Sequence, residues 1–134
     1  MGNKSAILFV DDEECIREIV KRFLPGDDFA VATFSNGLDA LEAIKKQKPS
    51  MVFLDIRMPG RDGFEVLKDI KAMAPDVPVA MVTGNGNYNH AQLATQMGAC
   101  DFILKPIDWN YLRSVAYLYT YMGDPSGETG GAFQ

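Results

Sequence analysis

The stretch Ala6-Ile7-Leu8-Phe9-Val10-Asp11-Asp12-Glu13 decides the fold. Five consecutive apolar residues end abruptly in three acids. A strand with one wet face alternates polar and apolar residues; an unbroken apolar run is what a strand buried on both faces requires. Immediately downstream the period changes. Ile16, Ile19, Val20, Phe23 and Leu24 fall at i, i+3, i+4, i+7 and i+8, one face of a helix predicted over residues 13–24. Pro25-Gly26 stops it.

The same unit, strand then helix, recurs downstream from this point to the end of the patterned chain. Phe29 to Phe34 reads as a second strand, after which Ser35-Asn36 offers capping side chains to a helix expected to point Leu38, Leu41 and Ile44 inward. Lys45, Lys46 and Lys48 near its end complement the helix dipole. Met51 to Leu54 is again all apolar and closes on Asp55. A turn-rich stretch, Arg57 to Gly63, leads to a helix carrying Phe64, Leu67 and Ile70. Val79 to Val82 makes the fourth strand, ending at Thr83, and His90 to Met97 a short helix stopped by Gly98. Phe102 to Leu104 is the fifth strand; Lys105-Pro106 breaks it before a last helix from Asp108 to Met122.

Repeated strand–helix units imply parallel strands joined by right-handed crossovers. The expected fold is therefore α/β: a doubly wound five-stranded parallel sheet, flavodoxin-like with strand order 2-1-3-4-5, and helices on both faces. One domain spans 5–122, and residues 123–134, rich in Gly, are expected to be a flexible tail or linker stump.

Composition narrows the function classes. Among 134 residues, thirteen Lys and Arg stand against eighteen Asp and Glu, a net charge of −5, which argues against a nucleic-acid-binding surface. No apolar run approaches the ~18 residues of a membrane span, and the run Ala6–Val10 is too short for a signal peptide. Cys15 and Cys100 make no disulfide framework and read as reduced thiols, so a cytoplasmic location is expected. A single histidine, His90, read as an exposed residue opening the fourth helix, leaves no His-based triad or Cys/His metal site.

In open α/β sheets ligands bind beyond the carboxyl ends of the strands, where strand order reverses. Strand one ends in Asp11 and Asp12, strand three in Asp55, strand four in Thr83 and strand five in Lys105. Singly, each has a plain explanation as a turn, cap or surface residue. Their agreement at four strand ends does not. Three clustered carboxylates repel one another unless a cation sits among them, and an all-oxygen donor set selects a hard ion such as Mg²⁺. A carboxylate beside such an ion, a hydroxyl and an ammonium has the parts for phosphoryl transfer onto itself.

The chain resembles the receiver domains of two-component response regulators. The resemblance rests on Val10-Asp11-Asp12-Glu13, Leu54-Asp55-Ile56-Arg57-Met58-Pro59-Gly60, Asp62-Gly63, Thr83-Gly84, Gly98-Ala99 and Lys105-Pro106. It implies that Asp55 is the phosphoacceptor, served by a histidine kinase or phosphotransfer protein. It implies that Asp11, Asp12, Asp55 and the backbone carbonyl of Arg57 hold Mg²⁺, that Thr83 is the switch hydroxyl, that Lys105 pairs with the phosphoryl group, and that the Lys105-Pro106 bond is cis. Phe102 takes the switch aromatic position, where many members carry Tyr. Arg57 and Asn85 occupy the positions that set phosphoryl lifetime. The family's output face, built by the fourth helix, fifth strand and fifth helix, carries a surplus of apolar side chains here: Trp109, Leu112, Ala116 and Tyr119 in one stripe, Tyr111, Val115, Leu118 and Met122 in a second, with Tyr117 and Tyr121 beside them. A homodimer or effector contact is expected there. The chain is thus read as a signalling switch that only assists its own phosphorylation and dephosphorylation. A phosphorylation-independent interaction module and an Mg²⁺-dependent aspartyl-phosphate phosphohydrolase are the competing readings; the latter lacks its second nucleophile-motif acid, since Arg57 stands there.

Overall fold

The computed structural model describes residues 4–58, 60–84 and 88–122. The tail at 123–134 and Asn85, both subjects of the expectations above, lie outside the described residues. Five strands and five helices alternate: β1 (Ser5–Val10), α1 (Glu14–Phe23), β2 (Phe29–Phe34), α2 (Gly37–Lys46), β3 (Met51–Asp55), α3 (Gly63–Met73), β4 (Val79–Thr83), α4 (Tyr88–Gln96), β5 (Asp101–Leu104) and α5 (Trp109–Met122). The sheet is wholly parallel with order β2-β1-β3-β4-β5, as the sequence pattern predicts.

The unbroken apolar runs are explained by what covers each face. On β1, Ile7 and Phe9 face one core with Met51 and Phe53 of β3, closed by Val20 and Leu24 and by Leu112, Val115 and Ala116 of α5. Leu8 and Val10 face the opposite core with Val52 and Leu54, closed by α2, α3 and Ala94 of α4. Two residues in succession are thus buried against different layers, which leaves no position on these strands for a polar side chain. Asn36 caps α2 by accepting from the Asp39 amide at 2.9 Å, and Gly98 ends the α4 segment at φ 99°, a conformation open to glycine.

The helices depart from the expected faces on α1, α2, α4 and α5. Leu38 is 59% and Ile19 42% exposed, so neither points inward; α2 instead packs through Gly37, Ala40, Leu41 and Ile44. A helical stripe wider than the sheet contact has edges, and these two side chains sit on them. On α5 the two expected stripes merge. Leu112 and Val115, expected on the partner surface, are buried in the core, because the helix rests on the sheet through Leu112, Val115 and Ala116. Trp109 and Tyr119 are half-buried against the same cluster, leaving Tyr111, Tyr117, Leu118 and Tyr121 exposed. His90 is half-buried rather than exposed, its ring 5.7 Å from that of Phe64.

Candidate functional site

Register brings the strand-end residues together. Val10 lies opposite Leu54 across the β1–β3 pair, so Asp11 and Asp55, the next residues on each, are neighbours at the point where strand order reverses. Val82 lies opposite Asp55, and Leu104 opposite Thr83, which carries the row on to Lys105. A cleft of about 390 Å³ runs over this edge, lined by Asp12, Glu13, Asp55, Arg57, Thr83 and Lys105.

The backbone beneath Asp55 is fixed by Gly63. Its amide donates to the Ile56 carbonyl at 2.6 Å, and a Cβ at position 63 would overlap the Asp55 carbonyl oxygen and Ile56 Cα. Glycine is what allows α3 to start against the strand end; Asp62, one residue before, caps the helix by accepting from the Glu65 amide at 3.0 Å.

Asp11, Asp55 and Thr83 are buried, whereas Asp12 is exposed. Asp11 Oδ1 accepts from the Glu13 amide at 2.9 Å, and the Asp11 carbonyl accepts from the Arg17 guanidinium at 2.7 Å. Asp55 Oδ1 accepts from the Arg57 amide at 3.2 Å. The other oxygens of both acids turn to one ammonium: Lys105 Nζ lies 3.2 Å from Asp55 Oδ2, 2.9 Å from Asp11 Oδ2 and 2.6 Å from Glu13 Oε2. The Asp11 contact is close enough for an ion pair but out of line for a hydrogen bond, so buried Asp11 Oδ2 has none.

Burial, followed by repulsion from Asp11, pushes the Asp55 carboxyl up to about 6, against the opposing pull of Lys105. Burial works on Lys105 in the other direction, but the Glu13 and Asp11 carboxylates outweigh it and hold the ammonium above its ordinary range. One single positive charge is thus shared among three acids, and the site retains an unmet demand for cationic charge.

Asp11, Asp12 and Asp55 each present an oxygen, all within 4.8 Å of one another. These are three hard donors, one of the acids also carries a buried oxygen lacking a hydrogen bond, and the group fits a small divalent cation such as Mg²⁺. The Lys105-Pro106 bond is cis. Phe102 is half-buried against the α2–α4 side of the core. Arg57 is exposed at the cleft. Asp11, Asp12, Asp55, Arg57, Thr83 and Lys105 thus lie along one edge of the sheet, while Phe102 packs against the core. Glu13 is the addition: it was legible as part of the acidic run, but nothing local signals a partner 92 positions away at Lys105.

A profile of the response regulator receiver domain matches residues 7–117. The chain belongs to this family. It is 39% identical over 105 residues to the DNA-binding transcriptional regulator NtrC of Escherichia coli strain K12, covering 78% of this chain and 22% of NtrC, so it spans about a fifth of that relative's length. Sporulation initiation phosphotransferase F of Bacillus subtilis strain 168 is 32% identical over 113 residues, 84% of this chain and 91% of that protein. The crystal structure of the receiver domain of NtrX from Brucella abortus superposes with a TM-score of 0.79 at 40% identity, covering 85% of this chain and 97% of that one. Among the described residues no helix is long and apolar enough to cross a membrane.

Proposed function

We propose that this receiver domain is a phospho-accepting switch in which Asp55 takes a phosphoryl group from a histidine kinase or phosphotransfer protein in the cytoplasm. The observation that carries this is the setting of one carboxylate. Asp55 is buried, has one oxygen held by the Arg57 amide, and turns the other toward Lys105 in a cleft it shares with Asp12 and Thr83, beside buried Asp11.

An Asp55 oxygen attacks phosphorus; the O–P bond forms as the P–N bond of the donor's phosphohistidine breaks, and its electron pair leaves with the imidazole nitrogen. Asp11, Asp12, Asp55 and the Arg57 carbonyl would hold Mg²⁺, which when bound offsets negative charge on the phosphoryl oxygens. Lys105 is already 3.2 Å from the accepting carboxylate and follows the new charge. The Thr83 hydroxyl, at the end of β4, turns to the phosphoryl group, and Phe102 rotates into the space this opens. The same groups assist hydrolysis of the acyl phosphate, with Arg57 at the mouth limiting water's approach. Phosphorylation shifts a pre-existing equilibrium of the distal face. There Leu93 of α4, Leu104 of β5 and Tyr111 of α5 are exposed and take the place of the buried Leu112 and Val115 as contacts for an effector or a second copy.

The test is intact-mass measurement after incubation with Mg²⁺ and acetyl phosphate. The wild type acquires one phosphoryl adduct that is lost in Asp55→Asn and on chelation of the metal. Absence of an adduct with acetyl phosphate and with phosphorylated donor proteins leaves a bare interaction module, and steady turnover of phosphate esters makes the protein a hydrolase.

A further inference from the structure

Glu13 occupies the N-cap position of α1 in extended conformation (φ −84°, ψ 115°), yet its side chain makes no capping hydrogen bond. Asn36 and Asp62 do cap α2 and α3 from the equivalent position. The α1 cap is given up for a contact across the fold: Glu13 Oε2 lies 2.6 Å from Lys105 Nζ, the shortest of that ammonium's three carboxylate contacts. The other two are with Asp11 and Asp55, which belong to the three-acid group; Glu13 does not.

The Lys105 ammonium and a divalent cation compete for the same two carboxylates, Asp11 and Asp55. Their mutual repulsion requires the ammonium to move off as the acids are engaged, and a carboxylate at the rim of the cleft gives it somewhere to go. Glu13 is half-exposed while Lys105 is only 12% exposed, so the pair spans the boundary between the interior and water. We infer that Glu13 is a positioning residue that draws the Lys105 ammonium away from Asp11 and Asp55 and so frees those carboxylates for the divalent cation. The inference rests on the assignment of the three-acid group as a Mg²⁺ site.

A double-mutant cycle read by calorimetric titration of Mg²⁺ into unphosphorylated protein tests it. Glu13→Gln weakens Mg²⁺ about three- to tenfold in the wild-type background, and Lys105→Met alone tightens it. In Lys105→Met, the further change Glu13→Gln alters affinity by less than about twofold, because the group through which Glu13 acts is gone. Glu13→Ser supplies a capping hydroxyl, so it raises the thermal midpoint while still weakening Mg²⁺; a merely structural role for Glu13 would move the two together. Equal weakening by Glu13→Gln in both backgrounds overturns the inference, since Glu13 would then act as a diffuse negative charge. So does unchanged affinity in the wild-type background. Absence of any Mg²⁺ binding by the wild type overturns the metal-site assignment itself, and the inference with it.

Discussion

The sheet edge and the outer side of α5 are made of the same kind of contact and behave differently. At the sheet edge, Lys105 meets Asp11 and Asp55 with side-chain exposures of 12%, 0% and 4%. On α5, Tyr117 donates to Asp28 at 2.6 Å and Tyr111 to Asp101 at 2.9 Å, but the two rings are 45% and 47% exposed. Each tyrosine hydroxyl is held above its ordinary range by the carboxylate it bonds, so in both places a carboxylate favours the protonated form of its partner. What differs is the alternative. Water replaces a lost partner on α5; at the sheet edge a lost partner leaves a charge with nothing in its place. Charges gathered under that constraint indicate a site, whereas those on α5 indicate an ordinary wet surface beside an apolar one.

The sharpest way to break the contrast is to remove the backbone fit beneath it. Gly63→Ala should cost about 3 kcal/mol, because the clash is with backbone atoms of Asp55 and Ile56 that cannot swing aside. Urea denaturation measures it, and an ordinary surface cost of a few tenths would show that α3 does not pin the site. Next is Lys105→Met, expected to destabilise the metal-free domain by about 2–3 kcal/mol, since Asp11 and Asp55 lose their shared cation. Saturating Mg²⁺ should restore much of that loss, as linkage requires of an ion bound only by the folded state.

Asp55→Asn has a smaller effect and the opposite sign. The folded Asp55 carboxyl sits at about 6 against an ordinary 3.8. A carboxyl raised on folding contributes stability in its protonated form, fully present below about pH 4 and lost as the pH climbs through about 6. At pH 7 without metal the ionised group is therefore a burden, and Asp55→Asn should stabilise by about 1–3 kcal/mol, with the difference vanishing near pH 4. Denaturation curves in chelator at the two pH values check the sign. The smallest effect belongs to α5: Tyr117→Phe should leave the denaturation midpoint unmoved, and a clear loss would show that the wet pair on α5 is coupled as tightly as the buried one.

Strand order and the site edge were legible because parallel strands buried on both faces admit only apolar residues until they emerge, and the first polar residue then marks the emergence. Asp11, Asp55 and Thr83 are read in this way from single stretches of chain. Helix facing was less legible. Leu38, Ile19 and Val115 keep helical spacing, but spacing alone does not say how the helix is rotated on the sheet. Gly63 looked like one more turn glycine, since its demand comes from the backbone of β3 rather than from its neighbours in sequence. Glu13 was hidden for a similar reason, its partner lying on the far strand.

The central claim, that Asp55 is the carboxylate that accepts the phosphoryl group, is tested most directly by chemical trapping. After phosphorylation with acetyl phosphate and Mg²⁺, borohydride reduces an acyl phosphate to the corresponding alcohol, and peptide mass mapping locates it. Homoserine at position 55 and at no other acid is the predicted result. Homoserine at position 11 or 12, or an adduct that borohydride does not reduce, would contradict it.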